Sequence, residues 1–264
     1  MTCSKILTPT NSVIVMPTAH RPEILACALK KLSVASDRPP VHIYVDNVGP
    51  LTNQRVDDVC VVRDLFLPEA IIHIQPEHVQ VASGTWNILN SLKAGYDMGA
   101  EFVFLVEEDV MMYPDFMARH GEIIGENLAS CGRRVPSFFK RYGDLYTNPG
   151  SCLTRGLLKG VVPHLNNDYY ADTGGYIRGA FSHEPYNSSL DDGLIRMVVR
   201  QLGGQCAYPD TPICAHQGFD WYNEIDIYSN KEGSLQERVA RFEAITASIK
   251  PGDRYARDFE PYLK

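Results

Sequence analysis

The sequence predicts an α/β fold with a mostly parallel central sheet, and three observations predict it. Short apolar runs rich in β-branched and aromatic residues recur at 13–16, 41–45 and 102–106, the composition of strands buried on both faces. Helical periodicity fills intervals between them. The runs lead into hydroxyl or acidic residues, namely Thr18, Asp46 and Glu107-Glu108-Asp109, which is where an open α/β sheet binds its ligands.

Val13-Ile14-Val15-Met16 reads as a buried strand closed by the turn Pro17-Thr18. Pro22 suits a first helical position, Leu25, Ala28, Leu29 and Leu32 recur at helical spacing, and Asp37-Arg38-Pro39-Pro40 ends that helix. Val41-His42-Ile43-Tyr44-Val45 is a second strand, completing a βαβ unit with parallel strands. A weaker strand at 70–74 precedes a helix near 84–98, whose face is Ile88, Leu89, Leu92 and Tyr96, and then the strand at 102–106. After residue 115 the pattern turns irregular, and frequent Gly, Pro, Asn and Tyr through 136–187 predict loop-rich, substrate-binding architecture. Order returns in a helix at 189–202, capped by Ser189 and stopped by Gly203-Gly204. A last helix at 235–249 opens with the capping box Ser234/Glu237 and shows Leu235, Val239, Phe242 and Ile245 on one face. No repeat or long linker interrupts the chain, so residues 1–264 are read as one domain.

The composition is that of an ordinary globular protein: 264 residues, 44% hydrophobic and 22% charged, which excludes disorder, collagen and coiled coil. A net charge of -7 argues against holding nucleic acid by general surface attraction. Residues 133–205 nevertheless carry nine Lys and Arg against six acids, which fits an anionic substrate, a phosphorylated glycan or nucleic acid included. Seven cysteines without a C-x-x-C pair fit a reducing compartment. With no apolar leader and no uninterrupted apolar window of membrane length, a cytoplasmic protein without a membrane span is expected. The triplet Asn187-Ser188-Ser189 carries no weight without secretion.

Three acids at the end of a buried strand place hard oxygen donors where a divalent cation and a substrate diphosphate could meet. Taken alone, Glu107-Glu108-Asp109 is more simply the pattern of a solvated acidic turn at a strand end. Asp191 and Asp192 likewise read either as a catalytic pair or as first-turn acids that favour the helix dipole. Tyr142, Tyr146, Tyr169, Tyr170, Tyr176, Tyr186, Trp221 and Tyr222 fall on predicted loops, where amphipathic rings suit sugar or base faces.

The order of these segments resembles the GT-A nucleotide-sugar glycosyltransferases, in particular the inverting family-2-like enzymes. Val13 to Leu25 is similar to that family's opening strand, turn and helix, and Tyr44-Val45-Asp46-Asn47 to its second strand. Gly84-Thr85-Trp86-Asn87 resembles its small-residue and Asn segment near the donor. Phe104 to Asp109 with Pro114-Asp115-Phe116 resembles its DxD motif and the Pro-Asp-Phe that follows, here with Glu-Glu-Asp in place of Asp-x-Asp. Gly150 to Arg155, Leu190-Asp191-Asp192-Gly193 and Ala215-His216-Gln217-Gly218-Phe219 resemble the acceptor-side loop, the acidic catalytic motif and the late His.

The resemblance implies a three-layer GT-A sandwich with a Rossmann-like N-terminal half, residues 1–115 binding the nucleotide sugar and 116–264 the acceptor. It assigns the donor to Thr18, His20, Arg21, Asp46, Asn87, Glu107 and Glu108, and the metal to Asp109 and His216. A nitrogen donor favours Mn2+ over Mg2+. Asp192 is then the base that deprotonates the acceptor hydroxyl, Asp191 orients the acceptor, and Arg155, Trp221 and Tyr222 bind it. The implied reaction moves a sugar from a uridine diphosphate sugar to a hydroxyl, with inversion. The same fold supports retaining chemistry. A nucleotidyltransferase is disfavoured because the first turn, Pro17 to Arg21, has no glycine. A silent nucleotide-sugar or glycan binding module would need neither Asp109 nor Asp192.

Overall fold

A computed structural model of the chain describes residues 6–18, 21–35, 37–47, 53–77, 83–134, 143–146, 149–181, 191–216 and 232–247. The three predicted apolar runs form neighbouring strands: β1 (Ser12–Thr18), β2 (Val41–Val45) and β4 (Phe102–Leu105), with β3 (Ile71–Ile74) outside β2. These four are mutually parallel, with Ile14 opposite Val41 and Phe104, and His42 opposite Ile71. The helices between them are α1 (Pro22–Ser33), α2 (Asn53–Phe66) and α3 (Ser83–Asp97). Pro22 occupies the first turn of α1, as expected, and Leu25, Ala28, Leu29 and Leu32 are wholly buried.

The sheet continues beyond β4 through β7 (Ser151–Thr154), β6 (Ala129–Ser130) and β8 (Cys206–Ala207), giving the order β3-β2-β1-β4-β7-β6-β8. β7 is antiparallel to both β4 and β6, while β6 and β8 are parallel. Six of the seven strands therefore run one way, and β7 runs against them. A separate two-stranded ribbon pairs β5 (Val110–Met112) with β9 (Cys214–His216).

Two apolar cores, one on each face of the sheet, make the three layers. One gathers Ile14, Met16, Ile43 and Phe104 with α1, α2, α4 (Phe116–Ile124) and the Val239 and Phe242 side chains of α9 (Leu235–Ala247). The other gathers Val13, Val15, Val103 and Leu105 with α3, α5 (Arg155–Val161) and α8 (Asp191–Gln201). Alternate residues of β1 and β4 thus serve opposite cores, the period-two signature of a central strand. The α9 capping box forms as expected, with Ser234 N donating to Glu237 Oε2 at 2.7 Å. Gly95 lets α3 lie directly on the sheet, since a Cβ there would stand 2.8 Å from Val103 Cγ1.

The structure departs from the sequence expectation in three places. Asn53–Phe66 is helical, although its Val and Cys residues are interrupted by acids and leave no clean apolar stripe. Within the stretch expected to be loop-rich, residues 149–181 form β7, α5, α6 (Asn167–Ala171) and α7 (Thr173–Ala180). Asn166, one of the Asn residues read as loop formers there, is a helix cap, as is Asp172: Asn166 Oδ1 accepts from Tyr169 N at 3.0 Å and Asp172 Oδ1 from Gly175 N at 2.8 Å. Tyr146 and Tyr169, expected to present rings on loops, are fully buried, and Tyr169 packs edge-on against Tyr176 with centroids 5.6 Å apart.

Candidate active site

Because β1, β2 and β4 are parallel and in register, Thr18, Asp46 and the acids after Leu105 emerge along one edge of the sheet. Thr18 O accepts from Asp46 N at 3.0 Å, stitching two of these strand ends together. Asn87, near the start of α3, ties the same edge from below. Its Nδ2 donates to Thr18 O at 3.3 Å and Tyr44 O at 3.2 Å, and its Oδ1 accepts from Gln75 Nε2 at 3.0 Å. With both amide hydrogens donated inside the protein, Asn87 supports the floor of the crevice rather than offering a donor to a ligand.

The three acids have different surroundings. Glu107 is half-buried, and its carbonyl accepts from Val110 N at 2.9 Å, closing the turn that presents the next two side chains. Glu108 is 1% exposed, with Thr18 Oγ1 donating to one carboxylate oxygen and Arg21 Nε to the other. Burial pushes its carboxyl above the usual carboxylate range, against the Arg21 charge. Asp109 places Oδ2 at 3.3 Å from Arg21 Nη2 and Oδ1 at 3.7 Å from His216 Nε2. That Oδ1 is buried and takes part in no hydrogen bond.

His216 reaches Asp109 through the ribbon. Val110 stands opposite His216, Met111 opposite Ala215 and Met112 opposite Cys214, so the residue beside Val110 meets the last residue of β9. One ion about 2.1 Å from each donor could bridge a separation up to ~4.2 Å, and 3.7 Å lies inside that limit. Among the described residues no third His, Cys, Asp or Glu joins the pair. The two donors therefore fit a divalent cation that completes its shell with water and substrate phosphate oxygens, the usual way Mg2+ and its relatives are held. The orphaned Oδ1 is the observation that supports the fit.

On the other side of the crevice, Asp191 opens α8 and is 8% exposed, with Oδ1 at 3.4 Å from Thr85 Oγ1. Burial, reinforced by the neighbouring Asp192 charge, raises its carboxyl to about 7. Asp192 is ion-paired with Arg196 on the next turn, Oδ2 to Nη1 at 3.0 Å. Between the two groups of acids lies Tyr146, whose hydroxyl is 2.8 Å from Ser151 Oγ. Burial lifts the Tyr146 phenol well above its ordinary value, and the charges of Asp191 and Glu107 act on it in the same direction.

Arg155 does not belong to this edge. It follows β7 at the end where Thr154 pairs with Phe102, the start of β4. Its guanidinium lies 4.2 Å from the centroid of the Tyr96 ring and donates to Tyr96 O at 2.7 Å, closing the C-terminus of α3. In this position Arg155 packs on the end of α3, away from the acids with which the acceptor role grouped it. Arg196 is likewise internal, at 1% exposure. His20, Trp221 and Tyr222 lie outside the described residues, as do Tyr142, Tyr186 and the Ser189 cap. Thr85 and Ser151, which sequence reasoning left without a role, join the site through tertiary contacts that no local pattern announces. A cavity of about 580 Å³ lined by Leu7, Pro9, Met117, Gly121 and Ile124 opens near the start of β1 and shares no residue with this cluster.

The sequence matches no family model and no curated protein. Solved structures do match. The mannosyltransferase PcManGT of Pyrobaculum calidifontis, in complex with GDP-Man and Mn2+, is 13% identical with a TM-score of 0.52, over 98% of this chain and 70% of that one. An active-site variant of LgtC is 13% identical with a TM-score of 0.53, over 93% of this chain and 99% of that one. The galactosyltransferase LgtC with donor and acceptor sugar analogues is 14% identical with a TM-score of 0.50, over the same 93% and 99%. The chain therefore has the GT-A fold of the nucleotide-sugar glycosyltransferases. Among the described residues, no helix is long and apolar enough to cross a membrane.

Proposed function

We propose that this protein is a metal-dependent glycosyltransferase that moves a sugar from a nucleoside diphosphate sugar, a uridine diphosphate sugar in the first instance, to a hydroxyl acceptor with inversion. The observation that carries the reading is the buried, orphaned Oδ1 of Asp109 facing His216 at the ligand-binding edge of a GT-A sheet. The matched mannosyltransferase was crystallised with GDP-Man and Mn2+, and LgtC with donor and acceptor sugar analogues, which supports a nucleotide sugar as donor here. Residues 1–115 take the donor, with Asp46 on the nucleoside and Glu107 beside the sugar, and residues 116–264 take the acceptor. Arg133 and Arg134 follow β6, which ends on the crevice side of the sheet, and suit an acceptor that carries negative charge.

Asp109 and His216 would hold Mn2+, or Mg2+, and such an ion would supply positive charge beside the departing diphosphate. Inversion then needs one carboxylate that takes the acceptor's proton as the hydroxyl attacks from the opposite face. The two acids of α8 suit that task unequally. Asp192 is ion-paired with Arg196, whereas Asp191 is buried with a long side-chain contact to Thr85, and burial outweighs what favours its charge and raises it to about 7. We assign the proton to Asp191 and the positioning of its helix turn to the Asp192–Arg196 pair, the reverse of the division the sequence suggested.

The test is a thermal-shift panel of uridine, guanosine, cytidine and thymidine diphosphates, with and without Mn2+, on the native protein and on Asp109→Ala. A ligand at a hundredfold its dissociation constant stabilises by about 2.7 kcal/mol. A Mn2+-dependent shift with one nucleotide, lost in Asp109→Ala, is the expected result. No shift with any nucleotide overturns the proposal, and a shift indifferent to Mn2+ and to Asp109 points to a binding module instead.

A further inference from the structure

The middle member of the acidic triplet is poorly placed to be a ligand. Glu108 is buried and each of its oxygens already has a protein partner, Thr18 on one and Arg21 on the other. Arg21 is the shared element of the cluster. Its Nε is in close contact with Glu108, while its Nη2 reaches Asp109 Oδ2 only at 3.3 Å, beyond the ~2.7–2.9 Å of a strong charge-assisted hydrogen bond. The guanidinium thus contacts Glu108 more closely than Asp109, on which it leans from one side, leaving Oδ1 turned towards His216 without a hydrogen bond.

We propose that Glu108 is a positioning residue: it serves as the counter-ion that parks the Arg21 guanidinium and so keeps Asp109 available to a divalent cation. The inference rests on the metal-site reading given above and assigns within it a task that neither donor binding nor metal ligation describes. Its physical basis is competition for one carboxylate. A guanidinium free to swing onto Asp109 would pair with it in the bidentate geometry that arginine favours. It would also stand within a few ångströms of any incoming dication, where like charges repel strongly even at an effective dielectric constant of about 20. Glu108 opposes the first by binding the guanidinium, and its negative charge offsets the second, while the Thr18 hydroxyl on its other oxygen fixes the direction from which it does so. Glu108 and Arg21 together add no net charge, so the pair leaves the negative charge of Asp109 uncancelled for the cation.

The experiment is a titration of the full chain with Mn2+ alone, free ion being read by electron paramagnetic resonance, with near-ultraviolet circular dichroism confirming the fold of each variant. Glu108→Gln is expected to weaken Mn2+ binding at least tenfold, because the released guanidinium closes on Asp109. The double variant Glu108→Gln/Arg21→Gln is expected to recover binding to within about threefold of the native protein, since the competitor is gone. A residue that merely shapes the turn would give no such recovery. Arg21→Gln alone should bind Mn2+ at least as tightly as the native chain, and this arm stands even if Glu108→Gln does not fold. Unchanged affinity in Glu108→Gln, no recovery in the double variant, or weaker binding in Arg21→Gln each overturns the inference while leaving the metal site intact. A native protein that binds no Mn2+ overturns the inference and the metal-site reading together.

Discussion

Thr85 Oγ1 stands 3.4 Å from Asp191 Oδ1, so the first turn of α3 meets the first residue of α8 across the crevice. At that distance the hydroxyl gives weak support to a carboxylate, and the nearest strong cation, Arg196, is engaged by Asp192. Asp191 is therefore a buried acid with little to stabilise its charge, the condition under which a carboxylate becomes a base near neutral pH.

Transfer should accordingly rise with pH through about 7, the value to which burial lifts Asp191, as the base loses its proton. Asp191→Asn should lower kcat by about 10²–10⁴ with nucleotide affinity unchanged. A pH–rate profile of the native enzyme, with kcat and donor Kd of the variant, checks both. If Asp192→Asn abolished transfer and Asp191→Asn spared it, the assignment would be reversed.

His120 sets the acid limit of stability. It is wholly buried, its Nδ1 is 2.7 Å from Ser130 Oγ, and burial with the nearby Arg119 charge depresses it to about 3. Between about 6.5, the unfolded value, and about 3 the unfolded chain binds a proton that the folded one refuses. Stability should be intact above that window and fall as pH drops through it, by up to ~1.4 kcal/mol per pH unit. Asp191 acts with the opposite sign: raised from 3.8 to about 7, it favours the fold at low pH and loses that contribution as pH climbs. Urea midpoints from pH 4 to 8 should show His120→Asn flattening the acid limb and Asp191→Asn increasingly stabilising as pH rises from about 4 to about 7, with the gain level above that.

Gly95→Ala should destabilise by about 1–3 kcal/mol, because overpacking outweighs the better helix propensity of alanine. The added Cβ would meet Val103 Cγ1 at 2.8 Å and Val15 Cγ1 at 3.3 Å, side chains that are themselves fixed between α3 and the sheet. Chemical denaturation reads the loss directly, and a neutral result would show that α3 can lift off the sheet at little cost.

Arg155→Ala separates structure from recognition. Losing the Tyr96 stacking and the Tyr96 carbonyl contact should cost ~1–3 kcal/mol of stability. KM for the acceptor should not change, since the residue sits at the far edge of the sheet. A raised acceptor KM at unchanged stability would restore Arg155 to the site.

What the sequence made legible follows from how locally each signal is written. The strands at Val13, Val41 and Phe102 are uninterrupted apolar runs between polar ends, and Pro22 and Ser234/Glu237 are caps read within one helical turn. α2 escaped because Asp57, Asp58 and Arg63 break up its apolar positions, and α6 and α7 because their caps are the same Asn and Asp that start loops. The site divides in the same way. Asp46 and the acidic triplet were visible as residues at strand ends and His216 only through the family resemblance, whereas the Asn87 amide under Thr18 and Tyr44, the Thr85–Asp191 contact and the Arg155–Tyr96 stack arise from chain segments brought together by folding. Arg155 was misread because a basic residue before a helix looks the same whether the helix faces the ligand edge or its opposite.

The β5–β9 ribbon also gives the protein a timetable. The four parallel strands are complete once residue 105 has been synthesised, and pair among themselves with everything downstream still absent. β9 begins at Cys214, so Asp109 waits for roughly a hundred more residues before His216 can stand beside it. Closing a loop of that length costs about 4 kcal/mol of chain entropy, set against three register pairs of ribbon and the packing of Cys214 and Ala215. A growing chain thus forms the sheet edge that carries Thr18, Asp46 and Asp109 well before His216 can join it.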